Sequence, residues 1–542
     1  MDFTEIYKHT ASLVAFSPGT HFLLTAIQDH LIVRRADSVQ ITRSWAINSD
    51  PSPTTTALSQ SASGRMGLNK SQNTTKSRIP SGTDALGAGT DGWITHAGWS
   101  SDSEYIFGAC SKRGTVEVFK MRDEDWRAHI DAGAEGLVKA EWAPDGRTIV
   151  CWSEWGLRIT LWSLVTGSAT YIQNSIHPER GYDFRSDSHY LVVAERHKSH
   201  DTLGVYDATA AYRLVRHFPL PTSSLSGIAL SPTGNHLAIW EGALEFKIYI
   251  VALSGELLST YVPERDPGFG IRTAVWHPAG LYLAVLGWDD KVYVLETITW
   301  RPVTTFELQS RIPAGVAIWR EPSNWLESTH GRGFLSYARV HAPHSLNLSP
   351  RDRFKPPPEL HSAFNSNTRS IPASATDYLA WNSDGSMLLV RYAGAPTAVF
   401  LYVFSPRASH NPSSSSSRSS RTGRSKTVTS QSPKLRTVLV HAGIVACVRW
   451  NPVRKGSLAV CTGGGAVYLW SDEWVNDGDG EQTQGEGGVN EGDGVAECVG
   501  VPAKRFATHY LRWAPDGRGM ILYDRETFCC AFEVEEADQG RI

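Results

Sequence analysis

Apolar and polar positions along the chain follow a short pattern that recurs nine times. In each repeat an apolar run ends on an aromatic residue or leucine, a turn rich in Ser, Asn, Pro, Asp and Gly follows, and a second apolar run begins. The aromatic position is held by Phe16, Trp99, Trp142, Phe184, Leu230, Trp276, Trp381, Trp450 and Trp513. Because apolar and β-branched runs bounded by turn residues are typical of strands, each repeat predicts an inner strand, a tight turn and a second strand.

The spacing of the repeats predicts the architecture. Where nothing intervenes, the aromatic position recurs every 42–46 residues, from Trp99 through Trp276. The third repeat holds four strand-like runs: Leu137–Trp142, Thr148–Trp152, Leu157–Trp162 and Ser168–Ile172. A period of this length with four strands is typical of a WD-type β-propeller blade. We therefore predict an all-β propeller whose repeat aromatics wedge between blades, and we expect Trp142→Ala to cost roughly 3–5 kcal/mol.

The two ends of the sequence predict how the ring closes. The last repeat has only three strand-like runs, whereas Phe3–Lys8 is an extra amphipathic run before the first repeat. Pairing Phe3–Lys8 with the last repeat would cover two exposed sheet edges at once. This favours a single closed ring of about nine blades over residues 1–542. A seven-bladed ring with two atypical repeats packed beside it is the alternative.

Four insertions interrupt the period. Residues 49–91 are rich in Ser and Thr, a composition that predicts disorder, and 309–375 contain one strand-like run, Val316–Arg320. Residues 405–434 are basic and Ser-rich, and 476–498 are acidic and Gly-rich. The repeat register places these last two side by side, between the third and fourth strands of neighbouring blades. One hypothesis is that the acidic loop screens the basic loop and that phosphorylation tunes its binding; two independent solvated loops are the alternative.

Composition and motifs narrow the classes of function. The 542 residues carry a net charge of −3, which gives no general electrostatic case for binding nucleic acid or an anionic membrane. The start of the sequence has no signal-peptide pattern, no apolar run is long enough to cross a bilayer, and seven cysteines without metal-site spacing fit a reducing, intracellular compartment. The sequence contains no Walker loop, nucleophile elbow or metal-binding helix, and its 19 histidines are scattered. We predict no enzyme activity and no catalytic, cofactor-binding or metal-binding residue.

The hairpins between second and third strands lie on one face of the predicted ring, and we call this set of hairpins the rim. Several of these hairpins combine Trp or Tyr with charged residues, a composition typical of interaction hot spots. We therefore expect a protein-binding rim with Trp155, Trp240 and Trp288 as aromatic anchors, although each residue taken singly could simply cap its hairpin. The candidate binding residues are Lys112, Arg113, Trp155, Arg196, Trp240, Glu241, Trp288, Asp289 and Tyr392.

Several stretches outside the repeat turns are distinctive enough to indicate a family. They are Phe3-Thr-Glu-Ile-Tyr-Lys8, Lys112-Arg-Gly-Thr-Val-Glu-Val118, Trp142-Ala-Pro-Asp-Gly-Arg147, Leu157-Arg-Ile-Thr-Leu-Trp-Ser163, Leu257-Leu-Ser-Thr-Tyr261, Trp288-Asp-Asp-Lys-Val292 and Leu458-Ala-Val-Cys-Thr-Gly-Gly464. In these stretches the chain resembles the centrosomal and spindle-pole WD-repeat family often called WD-repeat protein "eight". The resemblance covers nearly the whole sequence outside the four insertions.

The resemblance implies a non-catalytic role in the cytoskeleton. Members of the family act at microtubule-organising centres, the centrosome or the spindle pole body, where they anchor microtubule minus ends and support bipolar assembly of the mitotic spindle. They work with a coiled-coil partner, which is the synovial-sarcoma-X-breakpoint-interacting protein in animals and a minus-end anchoring counterpart in fungi. In fungi the complex also engages a minus-end-directed kinesin. A translation-factor-like or ribonucleoprotein scaffold is the alternative function, because nine-bladed rings also occur there.

Overall fold

The computed structural model is all-β, with nine propeller blades as the repeats predict. It describes residues 1–10, 12–47, 92–329, 333–340, 343–346, 378–404, 432–474, 494–503 and 505–533. The chain divides into two compact units. The smaller unit comprises Lys8–Trp155 and Trp162–Ala169, and the larger comprises Met1–Tyr7, Gly156–Leu161 and Thr170–Ile542.

Two short strands begin the chain, β1 (Asp2–Phe3) and β2 (Tyr7–Lys8). The blades that follow are antiparallel sheets of strands consecutive in sequence. Blade 1 contains β3 (Val14–Phe16), β4 (Phe22–Ile27), β5 (His30–Arg35) and β6 (Ile41–Ala46). Blade 2 contains β7 (His96–Trp99), β8 (Tyr105–Cys110), β9 (Thr115–Lys120) and β10 (Arg127–Asp131). Blade 3 contains β11 (Lys139–Trp142), β12 (Thr148–Trp152), β13 (Arg158–Ser163) and β14 (Ala169–Gln173).

The next three blades belong to the larger unit and follow the same order. Blade 4 contains β15 (Tyr182–Phe184), β16 (Tyr190–His197), β17 (His200–Asp207) and β18 (Arg213–Pro219). Blade 5 contains β19 (Leu225–Leu230), β20 (His236–Glu241), β21 (Ile248–Ala252) and β22 (Leu257–Tyr261). Blade 6 contains β23 (Ile271–Trp276), β24 (Tyr282–Gly287), β25 (Lys291–Glu296) and β26 (Pro302–Glu307).

The segment after blade 6 contains β27 (Arg311–Ile312), β28 (Ala317–Arg320), the short helix α1 (Trp325–Ser328), β29 (Phe334–Ser336), β30 (Ala338–Val340) and β31 (His344–Ser345). Blade 7 contains β32 (Leu379–Trp381), β33 (Met387–Val390), β34 (Ala398–Val403) and β35 (Lys434–Val440). Blade 8 contains β36 (Cys447–Trp450), β37 (Ser457–Cys461), β38 (Ala466–Ser471) and β39 (Val495–Gly500). Blade 9 contains β40 (Tyr510–Trp513), β41 (Gly519–Tyr523) and β42 (Thr527–Phe532). Within the described ranges, no helix is long and apolar enough to cross a membrane.

The core lies against the middle strands of the blades. Every residue of β12, β33 and β41 is buried, because these strands are covered on both faces. The fourth strands of blades 1 to 6 are more exposed, and all but one residue of β18 is exposed, whereas β39 of blade 8 is largely buried. This gradient from buried to exposed is the reason that second strands are continuous apolar runs whereas fourth strands carry polar residues.

The repeat tryptophans wedge between blades, as predicted. In six repeats the indole N–H donates a hydrogen bond of 3.0–3.3 Å to a main-chain carbonyl on the inner strand of the preceding blade. The bonds join Trp99 to Ala15, Trp142 to Gly98, Trp276 to Ala229, Trp381 to Val275, Trp450 to Ala380 and Trp513 to Arg449. Each acceptor residue directly precedes the aromatic position of its own repeat. The same bond therefore joins successive blades within each unit.

Blades 4 and 5 have Phe184 and Leu230 at the aromatic position, and neither side chain has an N–H to donate. These two blades are joined by a different hydrogen bond. The backbone N–H of Leu230 donates to Asp183 Oδ2 at 2.8 Å. Burial raises the pKa of the Asp183 carboxyl to about 6. A buried carboxylate on one inner strand thus takes over the bridging role that an indole N–H has elsewhere.

The start of the chain lies against blade 9. β1 pairs antiparallel with β42, with Asp2 opposite Phe532. The Thr4 N–H donates to the Cys530 carbonyl at 2.9 Å, and the Cys530 N–H donates to Thr4 Oγ1 at 3.0 Å. The segment expected as one strand, Phe3–Lys8, is two short strands, because the Thr4 side chain replaces a main-chain acceptor in the ladder. Closure into one ring stays a prediction.

Deleting residues 1–5 is expected to destabilise blade 9 and expose the part of the β42 edge that β1 covers, because β2 also pairs with β42. The change removes β1 and both Thr4 bonds, so at about 1 kcal/mol per hydrogen bond we expect a loss of roughly 2–4 kcal/mol. The uncovered edge should also promote self-association. Urea denaturation and size-exclusion chromatography measure the two effects. Thr4→Val is the matched control, which should cost about 1 kcal/mol without self-association; a deletion that behaved like the full chain would contradict this role of β1.

The insertion after blade 6 adds strands to blades 7 and 8, and we call its described part between residues 309 and 346 the strap. β28 pairs in parallel with β35, and β30 returns antiparallel to β28. β29 pairs with β39, the fourth strand of blade 8. The sequence predicted the strand at 316–320 but missed β27, β29, β30, β31 and α1, because these elements are too short to leave a pattern and the strand partners are distant in sequence.

The other insertions fall largely outside the described residues. Residues 49–91 are not described, nor are 405–431 or 475–493. The acidic insertion is shorter than the predicted 476–498, because β39 begins at Val495 and includes Glu497. Both charged insertions lie between third and fourth strands of neighbouring blades, 7 and 8, as the register predicted. The screening hypothesis concerns undescribed residues and stays a hypothesis.

Candidate protein-binding rim

Exposure separates the nine candidate residues of the rim into three groups. All nine lie in or directly beside hairpins between second and third strands. The exposed group consists of Lys112, Arg113, Trp155 and Arg196; the half-buried group of Trp288 and Asp289; and the buried group of Trp240, Glu241 and Tyr392. Only the first two groups can meet a partner without a rearrangement of the blades.

Trp155 is the most exposed large side chain of the rim. Its side chain is 92% exposed, on a hairpin of the smaller unit. Its backbone has φ +61°, a left-handed conformation that is strained for a bulky residue. An exposed indole on a strained backbone adds no core packing, and such positions concentrate at functional sites. Trp155 is therefore the strongest candidate for an aromatic anchor of the rim.

Trp240 and Tyr392 were expected to be exposed, and this expectation is wrong. Trp240 is 4% exposed, and its indole occupies the space above Gly227, where an added Cβ would lie 2.5 Å from the ring. Tyr392 is 2% exposed, and its hydroxyl lies 2.9 Å from the hydroxyl of Tyr402. Both residues lie at the core side of their hairpins. They stabilise blades 5 and 7 and cannot be surface anchors.

The acidic residues of the rim hold loops in place. Glu241 accepts hydrogen bonds from the backbone N–H groups of Ser223 and Ser224, both at 3.1 Å. Asp289 accepts from the N–H of Lys291 at 3.2 Å, and burial raises the pKa of its carboxyl. Glu241 therefore ties the loop entering blade 5 to its second strand, and Asp289 closes its own hairpin.

Arg196 is exposed but is bound to a buried carboxylate. Its guanidinium donates to Asp201 Oδ1 at 2.7 and 2.9 Å. The other oxygen of Asp201 accepts from the Leu225 N–H at 2.9 Å and from the Thr222 hydroxyl at 3.0 Å. Arg196 thus neutralises an acid that joins blades 4 and 5, and its first role is structural.

Trp288 belongs to a stack of aromatic and cationic side chains between blades 6 and 7. The Arg272 guanidinium lies 4.9 Å from the centre of the Trp288 ring and 3.4 Å from that of Tyr378. Arg391 lies 5.3 Å from the centre of the Tyr378 ring and donates to the Ala446 carbonyl. Cation–π contacts of this kind hold the rings in place while leaving part of each exposed. Arg272 and Tyr378 were not predicted from the sequence, because neither lies in a hairpin.

The strap contributes a buried polar network that the sequence did not indicate. Glu321 accepts from the Trp325 indole N–H and the Tyr468 hydroxyl, each at 2.8 Å, and from the Ala442 N–H at 2.7 Å. The Tyr337 hydroxyl lies 2.8 Å from Nδ1 of His441. Burial lowers the pKa of His441 to about 3, so this histidine is neutral. The network joins the strap to blade 8 and to the loop between blades 7 and 8.

All seven cysteines are free and buried. Burial raises the pKa of the Cys151 and Cys529 thiols to about 12. These thiols stay protonated at neutral pH and act as small apolar side chains, as the strand patterns indicated.

The structure brings together three potential metal ligands on blade 4 that sequence analysis did not connect. Glu195 Oε2 lies 2.9 Å from Nε2 of His197 and 3.3 Å from Nε2 of His217. The ligand atoms of all three residues lie within 4.8 Å of one another. Glu195 and His197 are on β16, whereas His217 is on β18, so only the strand register brings them together. The expectation of no metal-binding residue stays an expectation, and these three residues are the place to test it.

Comparisons with known proteins indicate the class of protein to which this chain is similar. No family model matches the chain. The mouse WD repeat-containing protein WRAP73 is 29% identical over 545 residues, covering 99% of this chain and 97% of its own length. An uncharacterized WD repeat-containing protein of Schizosaccharomyces pombe is 22% identical over 446 residues, covering 78% of this chain and 77% of its own length. Neither name indicates an enzyme family. With the nine blades, these similarities support a WD-repeat family and a propeller scaffold.

Proposed function

We propose that this chain is a non-catalytic scaffold at the spindle pole or centrosome, where it anchors microtubule minus ends together with a coiled-coil partner. The observation that carries the proposal is the place of the family-like stretches in the fold. Lys112–Val118 and Trp288–Val292 begin in rim hairpins, and Leu458–Gly464 runs into another. Propeller proteins in general share the repeat turns but not these hairpins. Three of the seven family-like stretches therefore reach rim hairpins, and this favours a partner shared with the family at the rim.

The chemistry of the rim favours an acidic, amphipathic helical partner. In the smaller unit Lys112 and Arg113 are exposed and so is the indole of Trp155. In the larger unit Arg272 and Trp288 form a half-exposed cationic and aromatic surface. Basic and aromatic side chains at the rim suit a helix that presents both carboxylates and apolar residues, as the outer surface of a coiled coil can. A minus-end-directed kinesin and microtubules would join this complex as further partners.

Imaging and purification of the tagged full chain test the proposed function. We expect a focus at each spindle pole in dividing cells and stoichiometric co-purification with one long coiled-coil protein. A diffuse signal with no coiled-coil protein recovered would contradict the proposal. Co-sedimentation with ribosomes that RNase abolishes would instead favour the ribonucleoprotein scaffold.

Trp155→Ala is expected to weaken recovery of the coiled-coil partner at least tenfold, because a central aromatic anchor commonly contributes about 2 kcal/mol. The melting temperature should stay unchanged, since the side chain is 92% exposed. Quantitative pull-down with purified partner measures the change. Val165→Ala, at an exposed turn position of the same unit, is the control. Equal recovery by both variants would exclude this hairpin from the binding surface.

A further inference from the structure

We propose that Glu195, His197 and His217 bind a Zn²⁺ ion on blade 4 that fastens a rim hairpin to the outermost strand. The proposal is independent of the spindle-pole role. The three residues lie on one face of the sheet: in the ladder Gly204 lies opposite both Val193 and His217, and Glu195 and His197 follow Val193 at alternate positions. Side chains at alternate positions of a strand point to the same face. The fold therefore directs all three ligands to one point.

The distances between the ligand atoms suit a single tetrahedral ion. Ligands held at about 2.0–2.1 Å from Zn²⁺ lie roughly 3.4 Å from one another. Glu195 Oε2 lies 2.9 and 3.3 Å from the two imidazole Nε2 atoms, and the rings are nearly perpendicular at 87°. Small rotations of the side chains would open the space for the ion. Two histidines and one glutamate leave the fourth position for water, as in many zinc sites.

The surroundings of Glu195 hold its carboxylate in a position to bind a metal. Glu195 is 3% exposed, and its Oε1 accepts a hydrogen bond from the Tyr206 hydroxyl, which leaves Oε2 directed at the histidines. The carboxylate occupies the space over Gly204, where an added Cβ would lie 2.3 Å from Oε1. A buried carboxylate needs a compensating cation, and a second partner that orients a ligand is usual in metal sites.

The two histidines keep the site accessible to an ion from solvent. The His197 and His217 side chains are 42% and 35% exposed, so the open side of the cluster faces solvent. The hairpin that follows His197 contains Lys198 and Ser199, both with positive φ. An ion shared by β16 and β18 would therefore fix this strained hairpin. Its effect would be structural, on the shape of the rim.

Zinc titration of the metal-stripped full chain tests the proposal by isothermal calorimetry and native mass spectrometry. We expect the wild type to bind one more Zn²⁺ ion than the double variant His197→Gln, His217→Gln. His189→Gln is the matched control, because His189 is an exposed histidine of the same blade near the carboxylate of Asp187. It should bind zinc like the wild type. Equal stoichiometry in wild type and double variant would overturn the proposal.

Cobalt substitution supplies a readout of geometry. Co²⁺ bound by these ligands should give the intense visible ligand-field absorption of a tetrahedral site, and the double variant should lose it. Tyr206→Phe should weaken zinc binding about 10–100-fold and shift the spectrum, as loss of a positioning partner does. A Co²⁺ spectrum typical of octahedral ions in water, together with no change in Tyr206→Phe, would also overturn the assignment.

Discussion

Replacing Trp381 by alanine is expected to lower the free energy of unfolding by about 3–5 kcal/mol. Trp381 is 8% exposed and lies 4.7 Å from the Phe404 ring and 4.9 Å from the His277 ring, measured between centroids. Its indole N–H donates to the Val275 carbonyl at 3.3 Å. The truncation would leave a cavity between blades 6 and 7 and a carbonyl without this donor. Urea denaturation followed by circular dichroism measures the loss.

Two further substitutions separate packing from hydrogen bonding. Trp381→Phe keeps most of the aromatic contact and loses the N–H, so we expect a cost of about 1–2 kcal/mol. Trp155→Ala makes the same change at a 92% exposed side chain and should stay within about 0.5 kcal/mol of wild type. Trp142→Ala should cost less than the roughly 3–5 kcal/mol expected from the sequence, because Trp142 is only half-buried. Similar losses at Trp155 and Trp381 would disprove the wedge role.

The blades could be predicted from sequence because their pattern repeats. The aromatic position marks the same point of each inner strand, and six indole bonds between blades follow from it. The hairpins were also placed correctly, but their burial was not. Trp240 is buried because Gly227 and a bulge in the paired strand leave space for its ring. A repeat pattern contains no information about that space.

The strap and the blade 4 cluster could not be predicted, because both depend on pairings between distant strands. β28 pairs with β35 although more than 110 residues separate them in sequence. His217 meets Glu195 only through the register of β16, β17 and β18. Neither relation produces a local periodicity. The candidate rim could be predicted in part. Its hairpins were predicted correctly, but which of its residues reach solvent depends on packing within each blade.

Glu321, the buried acid of the strap, is expected to hold the strap against blades 7 and 8. Glu321→Ala is expected to cost about 3–5 kcal/mol, because it leaves the Trp325 indole, the Tyr468 hydroxyl and the Ala442 N–H without their shared acceptor. The strap should then detach from blades 7 and 8 before the rest unfolds. Hydrogen exchange should accelerate first in β28, β29 and β30, and thermal unfolding gives the overall loss.

Variants around the same acid distinguish loss of the network from a general effect of mutation. Glu327→Ala changes an exposed position of the short helix α1, which follows Glu321 in sequence. It should leave the free energy of unfolding and the hydrogen exchange unchanged. Tyr468→Phe removes one of the three donors and should cost about 1–2 kcal/mol, which keeps the test valid even where Glu321→Ala fails to fold. Adding Tyr468→Phe to Glu321→Ala should cost little more, because the hydroxyl has by then lost its acceptor. Fully additive losses would show that the two residues act independently and that the strap is held by its strand pairing alone.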